Sequence, residues 1–231
     1  MIRPLDVATS LFTTIGRLGT GMRVGALGRR PERPLELYEF EACPFCRKVR
    51  EALSILDLEA IVYPCPKGGP TFRPRVRELG GRELFPYLVD PNTGKAMYES
   101  SEIVAYLFAE YGDGRVPLAL GAGVLTDASS IVSGLWRLGG GSRYRRARQP
   151  GQRLELYSFE ASPFCRIARE ALCSLELPYH LYNVAQGSER RAAFAAHSGR
   201  MMVPWISDPN TGVEMFESAD IVAYLNDTYA L

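Results

Sequence analysis

The amino-acid sequence predicts an α/β protein in which one structural unit occurs twice, and two observations carry this prediction. Leu35–Arg47 reads LELYEFEACPFCR and Leu154–Arg166 reads LELYSFEASPFCR, at an offset of 119 positions (154 minus 35). Tyr98–Ser100 recurs as Phe216–Ser218 at an offset of 118 positions (216 minus 98). A unit of this length can bury a core of its own, so 231 residues are long enough for two domains.

The first unit is divided into elements by its apolar spacing and its turn residues. Leu35–Phe40 alternates apolar residues with Glu, which predicts a strand. After the Cys43–Cys46 motif, apolar residues recur at helical spacing over Val49–Leu56 and predict a helix. Ala60–Tyr63 is rich in β-forming side chains and predicts a second strand, which a proline- and glycine-rich loop separates from the helical candidate Arg73–Leu79.

The remainder of the unit predicts a hairpin and a closing helix. Phe85–Val89 leads into the turn-forming residues Asp90–Gly94, and Ala96–Tyr98 returns as the partner strand. Ser100 is the predicted N-cap of the last helix. The second copy repeats the plan at Tyr179–Val184, Ser188–His197, Val203–Ile206 and Glu214–Phe216, with Ser218 as its last predicted N-cap. The predicted order in each copy is therefore β-α-β-α-β-β-α.

This order, with Cys-x-x-Cys at the first strand-to-helix junction and a proline that begins the third strand, carries a resemblance. Each copy resembles a thioredoxin-fold domain of the glutaredoxin and glutathione S-transferase N-terminal type, over Leu35–Tyr111 and Leu154–Tyr229. The resemblance implies an α/β fold of two tandem thioredoxin-fold domains. The similar apolar stripes at Leu11–Gly21 and Ile131–Gly141 predict that an amphipathic helix precedes each domain. The implied divisions are a leader (1–34), the domain with CPFC (35–114), a linker with the repeated helix (115–153) and the domain with SPFC (154–231).

The same resemblance implies a glutathione site in each copy. In the family the proline is cis and the backbone of its neighbour holds the cysteinyl part of glutathione. The γ-glutamyl end is bound by an acidic or amide residue followed by serine, and some transferases use a serine at the helix start to donate a hydrogen bond to the glutathione thiolate. The matching positions in this sequence are Phe85-Pro86 and Val203-Pro204, Glu99-Ser100 and Glu217-Ser218, and Ser162.

The residues themselves predict redox chemistry at Cys43 and Cys46. Cys43 precedes a helix whose first N–H groups are unpaired, and these groups stabilise a thiolate more than a thiol. Cys46 lies one turn inside the helix and is expected to be more buried, so Cys43 is the predicted attacking thiol and Cys46 the resolving thiol. Alternatives are that both are small apolar fillers or half of a zinc or iron–sulfur site. No metal ligand set is predicted, and His180 and His197 read as ordinary surface or partly buried residues.

The other cysteines carry weaker expectations. Cys65 lies between two prolines and is interpreted as a surface cysteine, with a second resolving thiol as the alternative. Cys173 matches Ser54 and is expected to be inert, and Cys165 is expected to be buried without a partner thiol. Ser162 cannot form a disulfide, so the second copy either binds glutathione without redox turnover or serves as a scaffold.

Composition limits the remaining function classes. A net charge of +1 gives no reason to expect nucleic acid, and no apolar run is long enough to predict a transmembrane segment. Five cysteines with a Cys-x-x-Cys motif favour a reducing compartment, so a cytoplasmic location is expected, or an organelle stroma or matrix for a processed form. The apolar stripes at Leu11–Gly21 and Ile131–Gly141 favour helices that pack the copies together, with peripheral membrane contact as the alternative.

The function predicted from these residues and the resemblance is a glutathione-dependent thiol–disulfide oxidoreductase. Glutathione is the expected co-substrate, and protein or small-molecule disulfides are the expected partners. The alternatives are a non-catalytic module that holds an iron–sulfur cluster or haem, and a glutathione transferase- or isomerase-like activity. The two domains are expected to pack within one chain, and a homodimer stays open.

Overall fold

The computed structural model describes residues 21–25, 27–121 and 140–231 of the chain. In its first half the elements are β1 (Leu35–Glu39), α1 (Pro44–Ile55), β2 (Ala60–Pro64), α2 (Phe72–Gly80), β3 (Tyr87–Asp90), β4 (Lys95–Met97), α3 (Ser100–Tyr111) and the short α4 (Leu118–Gly121). In its second half they are β5 (Leu154–Ser158), α5 (Pro163–Ser174), β6 (Tyr179–Asn183), α6 (Arg190–Ser198), β7 (Trp205–Asp208), β8 (Val213–Phe216) and α7 (Ser218–Tyr229). The order β-α-β-α-β-β-α thus occurs over 35–111 and again over 154–229.

All eight strands form one mixed sheet, in the order β4-β3-β1-β2-β6-β5-β7-β8. The two halves are arranged symmetrically. From each edge toward the centre, the strands are the fourth, third, first and second of their half. Within each half the first two strands are parallel and the last two form an antiparallel hairpin. The halves join at the centre, where β2 and β6 pair antiparallel with Ile61 opposite His180. This pairing removes two sheet edges that would otherwise expose unpaired backbone groups.

The apolar side chains of both halves meet in one core. On β1 the side chains of Leu35 and Leu37 face this core, and Tyr38 lies on the opposite face of the sheet, as strand alternation requires. Residues of β5, β6 and α5 join the same core from the second half. The opposite face carries two aromatic clusters, one in each half, around Tyr38 and around Trp205.

The segment that precedes each half forms backbone hydrogen bonds with the other half. Val24 donates its backbone N–H to the carbonyl of Gln186, at 2.9 Å, and Gln186 donates back to Met22 at 2.8 Å. In the same way the N–H of Lys67 donates to Ser142, and the N–H of Tyr144 donates to Lys67, at 2.7 and 2.9 Å. Each preceding segment therefore fastens the loop after the second strand of the opposite half.

The structure bears differently on two predictions about helices, those that precede each half and the N-caps of α3 and α7. The predicted amphipathic helices at 11–21 and 131–141 lie almost wholly outside the described residues, and the domain boundaries stay a prediction. Ser100 and Ser218 were expected as N-caps, but the helices begin at these serines and the cap positions are Glu99 and Glu217. Both glutamates have left-handed backbone conformations, with φ of 63° and 67°. A non-glycine residue held there costs about 1–3 kcal/mol, a feature that is common at binding sites. No helix among the described residues is long and apolar enough to cross a membrane.

Candidate functional site

Cys43 is the N-cap of α1. Its backbone is extended, with φ −76° and ψ 121°, and its N–H donates to the carbonyl of Phe40 at 3.0 Å. The backbone N–H of Cys46 donates to the Cys43 sulfur at 3.3 Å. Proline at the first helical position suits this turn, since it has no N–H to leave unpaired. The predicted placement of the dithiol at the first strand-to-helix junction is therefore what the structure has.

The two thiols differ in acidity in the predicted direction. The hydrogen bond from the Cys46 side chain lowers the pKa of Cys43 most; burial opposes this, and the backbone N–H groups of Cys46 and Phe45 lower it further. Burial, followed by the effect of the neighbouring Cys43, raises the pKa of Cys46 well above its ordinary value. Cys43 is 4% exposed and Cys46 is 0% exposed. The pair therefore combines a thiolate-forming thiol with a buried thiol that stays protonated.

The cis-proline loop lies beside this turn. Phe85-Pro86 is cis, as the resemblance implied, and it comes directly before β3, which pairs antiparallel with β1. The rings of Phe40 and Phe85 meet edge to face, with centroids 6.1 Å apart. The Arg73 guanidinium lies 4.8 Å from the Phe85 ring centroid and donates to the Cys65 and Pro66 carbonyls. The sequence reasoning missed Arg73 as a member of this region.

Glu99 and Ser100 lie at the same end of the sheet as the Cys43 turn and the cis-proline. They follow β4, and the ring of Tyr98 just before them contacts the ring of Tyr87 at the start of β3 at a tilt of 37°, with centroids 4.5 Å apart. Glu99 is exposed, and Ser100 is buried at the start of α3. The end of β1, the start of β3 and the end of β4 therefore bring the Cys43 turn, the cis-proline and the Glu99-Ser100 pair to one end of the sheet.

The second half repeats the N-cap turn, the cis-proline and the Glu-Ser pair, which we call the frame of the site, with a hydroxyl group in place of the Cys43 thiol. Ser162 is the N-cap of α5, with φ −78° and ψ 120°, and it accepts a hydrogen bond from the Cys165 N–H at 3.2 Å. Val203-Pro204 is cis, and Glu217-Ser218 begins the last helix as its counterpart does. Cys165 is 0% exposed, which confirms its predicted burial. The frame of the predicted site is therefore present twice and the dithiol once.

The interpretation of Cys65 as a surface cysteine is wrong. Its exposed fraction is 0%, because its N–H continues the β1–β2 pairing by donating to the Glu39 carbonyl at 2.6 Å and because the cluster around Tyr38 covers it. Burial raises the pKa of Cys65 well above its ordinary value, and the same holds for Cys173, whose sulfur accepts the Glu41 N–H at 3.4 Å. Both thiols are therefore poor nucleophiles at neutral pH.

A cluster of buried charges, which we call the junction cluster, lies between the halves behind the dithiol. Arg50 on α1 donates to Glu160 of the second half at 2.9 Å and also bonds Glu39. Arg169 on α5 donates to Glu41 of the first half through Nε and Nη2, at 3.0 and 3.1 Å. Members of the junction cluster are Glu39, Glu41, Arg47, Arg50, Glu160, Arg166 and Arg169. The sequence analysis missed it, although most of its members recur at the 119-residue offset.

Burial and pairing act in opposite directions on the acids of the junction cluster. Burial alone would raise the pKa of Glu160, but Arg169, Arg50 and Arg47 lower it to about 2. Burial raises the pKa of Glu39 to about 7, against the lowering effect of Arg50. The cluster thus contains one carboxylate that is charged over the whole physiological range and one that titrates near neutral pH.

Metal binding gains no support from the residues that the structure describes. Within them, no group of three or more His, Cys, Asp or Glu side chains is arranged to hold a metal ion. His180 is partly buried and contacts Glu59 at 3.1 Å, and His197 is exposed near Glu214.

Comparison with known proteins gives a family match and similar solved structures. The family model described as "Glutathione S-transferase, N-terminal domain" matches residues 37–117 and 156–231, more than half of the chain. No curated protein matches the sequence. Among solved structures, the Bombyx mori glutathione transferase BmGSTD1 is 27% identical over 36% of this chain and 38% of that chain, with a TM-score of 0.32. The trimeric Leishmania glutathione transferase TDR1 is 16% identical over 87% of this chain and 68% of that chain, with a TM-score of 0.33. The chain therefore spans well under half of the silkworm enzyme's length.

Proposed function

The chain belongs to the family of glutathione S-transferase N-terminal domains, and on this premise we propose that it is a glutathione-dependent thiol–disulfide oxidoreductase that acts through Cys43 and Cys46. The observation that carries the proposal is the contrast between the two thiols. Cys43 sits at a helix start with a lowered pKa, and Cys46, three residues on, is buried with a raised one. A reactive thiolate beside a protected thiol is the arrangement that dithiol exchange requires.

The reaction proceeds by exchange of sulfur bonds. The Cys43 thiolate attacks a disulfide, so that one substrate sulfur becomes bonded to Cys43 and the other leaves as a thiolate. Cys46 then attacks the Cys43 sulfur, forms the Cys43–Cys46 disulfide and releases the second substrate thiolate. Two glutathione molecules return the protein to the dithiol by the same exchange and leave as glutathione disulfide. Two electrons thus pass from glutathione to the substrate disulfide, and the released thiolates take protons from water.

Glutathione is proposed to bind at the end of the sheet where the three segments meet. The backbone beside Pro86 would hold its cysteinyl part and place its sulfur toward Cys43. Glu99 and Ser100 would bind the γ-glutamyl end, and the left-handed backbone at Glu99 supports this, since strained residues are common where a ligand is held.

The second half is proposed to be a tandem thioredoxin-fold domain that has kept the frame of the site without its dithiol. Ser162 offers a hydroxyl group at the helix start, and Val203-Pro204 and Glu217-Ser218 repeat the other two segments. These residues would let the second half bind glutathione without redox turnover. The junction cluster supports a scaffold role as well, because its ion pairs tie α1 of the first half to the second half.

The test is glutathione-coupled reduction of a small mixed disulfide by the full chain. Cys43→Ser is expected to reduce turnover to the background rate, because a serine hydroxyl does not form a mixed disulfide. Ser162→Ala, the control at the equivalent position, is expected to keep turnover, because Ser162 is the N-cap of α5 in the second half and is not part of the Cys43–Cys46 pair. A wild type without turnover, or a Cys43→Ser variant as active as the wild type, would refute the proposal.

A second function, glutathione transfer to an electrophile, is favoured by the Ser162 site. A serine hydroxyl at a helix start can hold a glutathione thiolate by a hydrogen bond. The discriminating measurement is conjugation of glutathione to an aromatic chloride. Loss of conjugation in Ser162→Ala but not in Cys43→Ser would assign this activity to the second half.

A further inference from the structure

Glu176 belongs to the half without the dithiol, and its carboxylate caps a helix of the half that has it. Its Oε1 accepts the backbone N–H groups of Thr71 and Phe72, both at 3.1 Å, and its Oε2 also accepts the N–H of Thr71, at 3.3 Å. These groups lie at the start of α2, whose own N-cap residue, Thr71, forms no side-chain capping hydrogen bond. The partial positive charge of a helix start also favours a carboxylate there. The first turn of α2 is therefore capped from the other half.

Both halves are shaped for this contact. Glu176 follows α5 with a left-handed backbone, at φ 52°, and its exposed fraction is 0%. On the other side of the contact, Gly69 leaves room for the carboxylate, since a Cβ on this residue would lie 2.5 Å from the Glu176 Oε1. The approach of Glu176 to α2 thus depends on a backbone conformation in one half and on the lack of a side chain in the other.

The helix α2 in turn holds the cis-proline loop. Arg73, the second residue of α2, donates from Nη1 to the Glu83 Oε1 at 2.8 Å, two residues before Phe85. Its guanidinium carbon lies 4.8 Å from the ring centroid of Phe85 and 5.8 Å from that of Phe40. Phe85 precedes the cis-proline Pro86, and Phe40 begins the turn that leads to the dithiol. One side chain of α2 therefore contacts both segments that border the proposed glutathione site.

The equivalent acid of the first half makes a different contact. Asp57 lies 119 positions before Glu176 (176 minus 57) and has the same left-handed backbone, at φ 52°. Its Oδ2 pairs with the Arg190 side chain at 2.9 Å, where α6 begins, whereas Glu176 accepts backbone N–H groups. The cis-proline of the second half is preceded by Val203, which has no ring for a guanidinium to cover. Of these two equivalent acids, Glu176 is therefore the one that is connected to an aromatic cis-proline loop.

We propose that Glu176 is a positioning residue for the glutathione site of the first half, an inference that rests on the proposed function. By capping α2, it fixes the start of that helix and keeps Arg73 against the rings of Phe40 and Phe85. The backbone beside Pro86 then stays where it can hold the cysteinyl part of glutathione. The half without a dithiol is in this way required by the half that has one, since it supplies a carboxylate that α2 lacks.

The test compares two reagents that react with Cys43 and differ in their need for a binding site. The Cys43 thiolate attacks one sulfur of glutathione disulfide, the bond from Cys43 to that sulfur forms, and the second glutathione leaves as a thiolate. Iodoacetamide alkylates the same thiolate with loss of iodide and has no peptide part to be held.

Glu176→Ala removes both acceptor oxygens from the start of α2. It is expected to slow the reaction of Cys43 with glutathione disulfide about fivefold, which corresponds to the loss of one helix cap. The reaction with iodoacetamide is expected to stay unchanged, because the N–H that donates to the Cys43 sulfur comes from its own turn. Glu176→Gln keeps one acceptor oxygen for α2 and is expected to recover most of the rate with glutathione disulfide.

Asp57→Ala is the matched control, because it truncates the equivalent acid, and it is expected to leave both reactions unchanged. Gly69→Ala is a second variant, which provides the result if Glu176→Ala does not fold. Its added Cβ displaces the Glu176 carboxylate without removing it, so it is expected to slow the reaction with glutathione disulfide as Glu176→Ala does. Wild-type rates with glutathione disulfide in both Glu176→Ala and Gly69→Ala, or equal slowing by Asp57→Ala, would overturn the inference.

The inference and the proposed function fail in different ways. Glutathione-coupled turnover by the wild type, together with a wild-type rate with glutathione disulfide in Glu176→Ala, would overturn the role of Glu176 alone. A wild type without this turnover, whose reaction with glutathione disulfide still depends on Glu176, would overturn the proposed activity and leave the positioning role standing. A Cys43 thiol that does not react with glutathione disulfide would overturn both.

Discussion

The turn that carries Cys43 and the turn that carries Ser162 have the same shape and different chemistry. Their backbone angles agree within a few degrees, and the same helix N–H donates to the sulfur at 3.3 Å in one and to the oxygen at 3.2 Å in the other. Each is followed by proline, and each half has its cis-proline before the third strand. The helix start therefore fixes the turn, and the side chain at its N-cap can change from thiol to hydroxyl without a change of fold.

The two halves differ at the N-cap of the helix, Cys43 or Ser162, and also four residues before it, at Glu39 or Ser158. The first half combines Cys43 with a buried acid, Glu39, which titrates near neutral pH. The second half has hydroxyl groups at both positions, and Ser158 accepts a hydrogen bond from Arg169 at 3.1 Å where Glu39 forms an ion pair with Arg50. The comparison shows that the two halves share one frame and differ at two positions in it, where hydroxyl groups replace a thiol and a carboxyl group.

Rebuilding the second site gives the largest expected effect. In a Cys43→Ser background, which is expected to be inactive, Ser162→Cys restores a Cys-x-x-Cys motif with Cys165 and is expected to return turnover above background. The measurement is glutathione-coupled disulfide reduction. If Ser162→Cys forms no mixed disulfide, the two frames are not equivalent.

The junction cluster predicts the next largest effect, on stability. Arg50→Met removes the partner of Glu39 and one partner of Glu160, and loss of one member of a buried ion pair costs about 3–5 kcal/mol of unfolding free energy. Arg169→Met is expected to cost less, because Arg169 pairs with two carboxylates and the neutral Ser158 hydroxyl, whereas Arg50 pairs with three carboxylates. Chemical denaturation monitored by fluorescence measures both values. A larger cost for Arg169→Met would contradict the reading of Glu39 as the unmatched acid.

Much of the frame could be predicted from the sequence, because its signals are local. Strand alternation, the apolar spacing of the α1 segment and the turn residues of the hairpin predicted β1, α1, β3 and β4 close to where they lie. The cis bonds at Pro86 and Pro204 were implied by the resemblance and are present. Such features depend on a few neighbouring residues, so one sequence is enough to indicate them.

The missed features depend on contacts between distant segments. Charged residues on a helix are usually solvated, so Arg50 and Arg169 gave no sign that they lie in an interface. Their burial follows from the β2–β6 pairing, which joins the halves in one sheet and which no local pattern specifies. Cys65 was misplaced for a related reason, since two flanking prolines suggest a loop while its backbone still pairs with Glu39.

The smallest expected difference concerns the hairpin acids Asp90 and Asp208. Burial would raise the pKa of Asp90, but hydrogen bonds from Tyr106, Tyr111 and Asn92 hold it below its ordinary value. Hydrogen bonds from Tyr224, Tyr229 and Asn210 lower the pKa of Asp208 in the same way, against the effect of burial. Asp→Asn at either position is expected to cost about 1–3 kcal/mol, the range for a buried hydrogen-bond network left partly unsatisfied.

The lowered pKa values of Asp90 and Asp208 make the stability of each half depend on pH. A depressed carboxyl pKa contributes stability that is present above the unfolded value of about 3.9 and is lost as pH falls through the folded value. Denaturation of Asp90→Asn and Asp208→Asn at neutral and acidic pH measures both the costs and their loss. Equal losses of stability in Asp90→Asn and Asp208→Asn would show that the hairpins of the two halves are energetically the same. The halves would then differ at Cys43 and Ser162 and at Glu39 and Ser158. Unequal costs would show that the second half has changed in its frame as well as in its site.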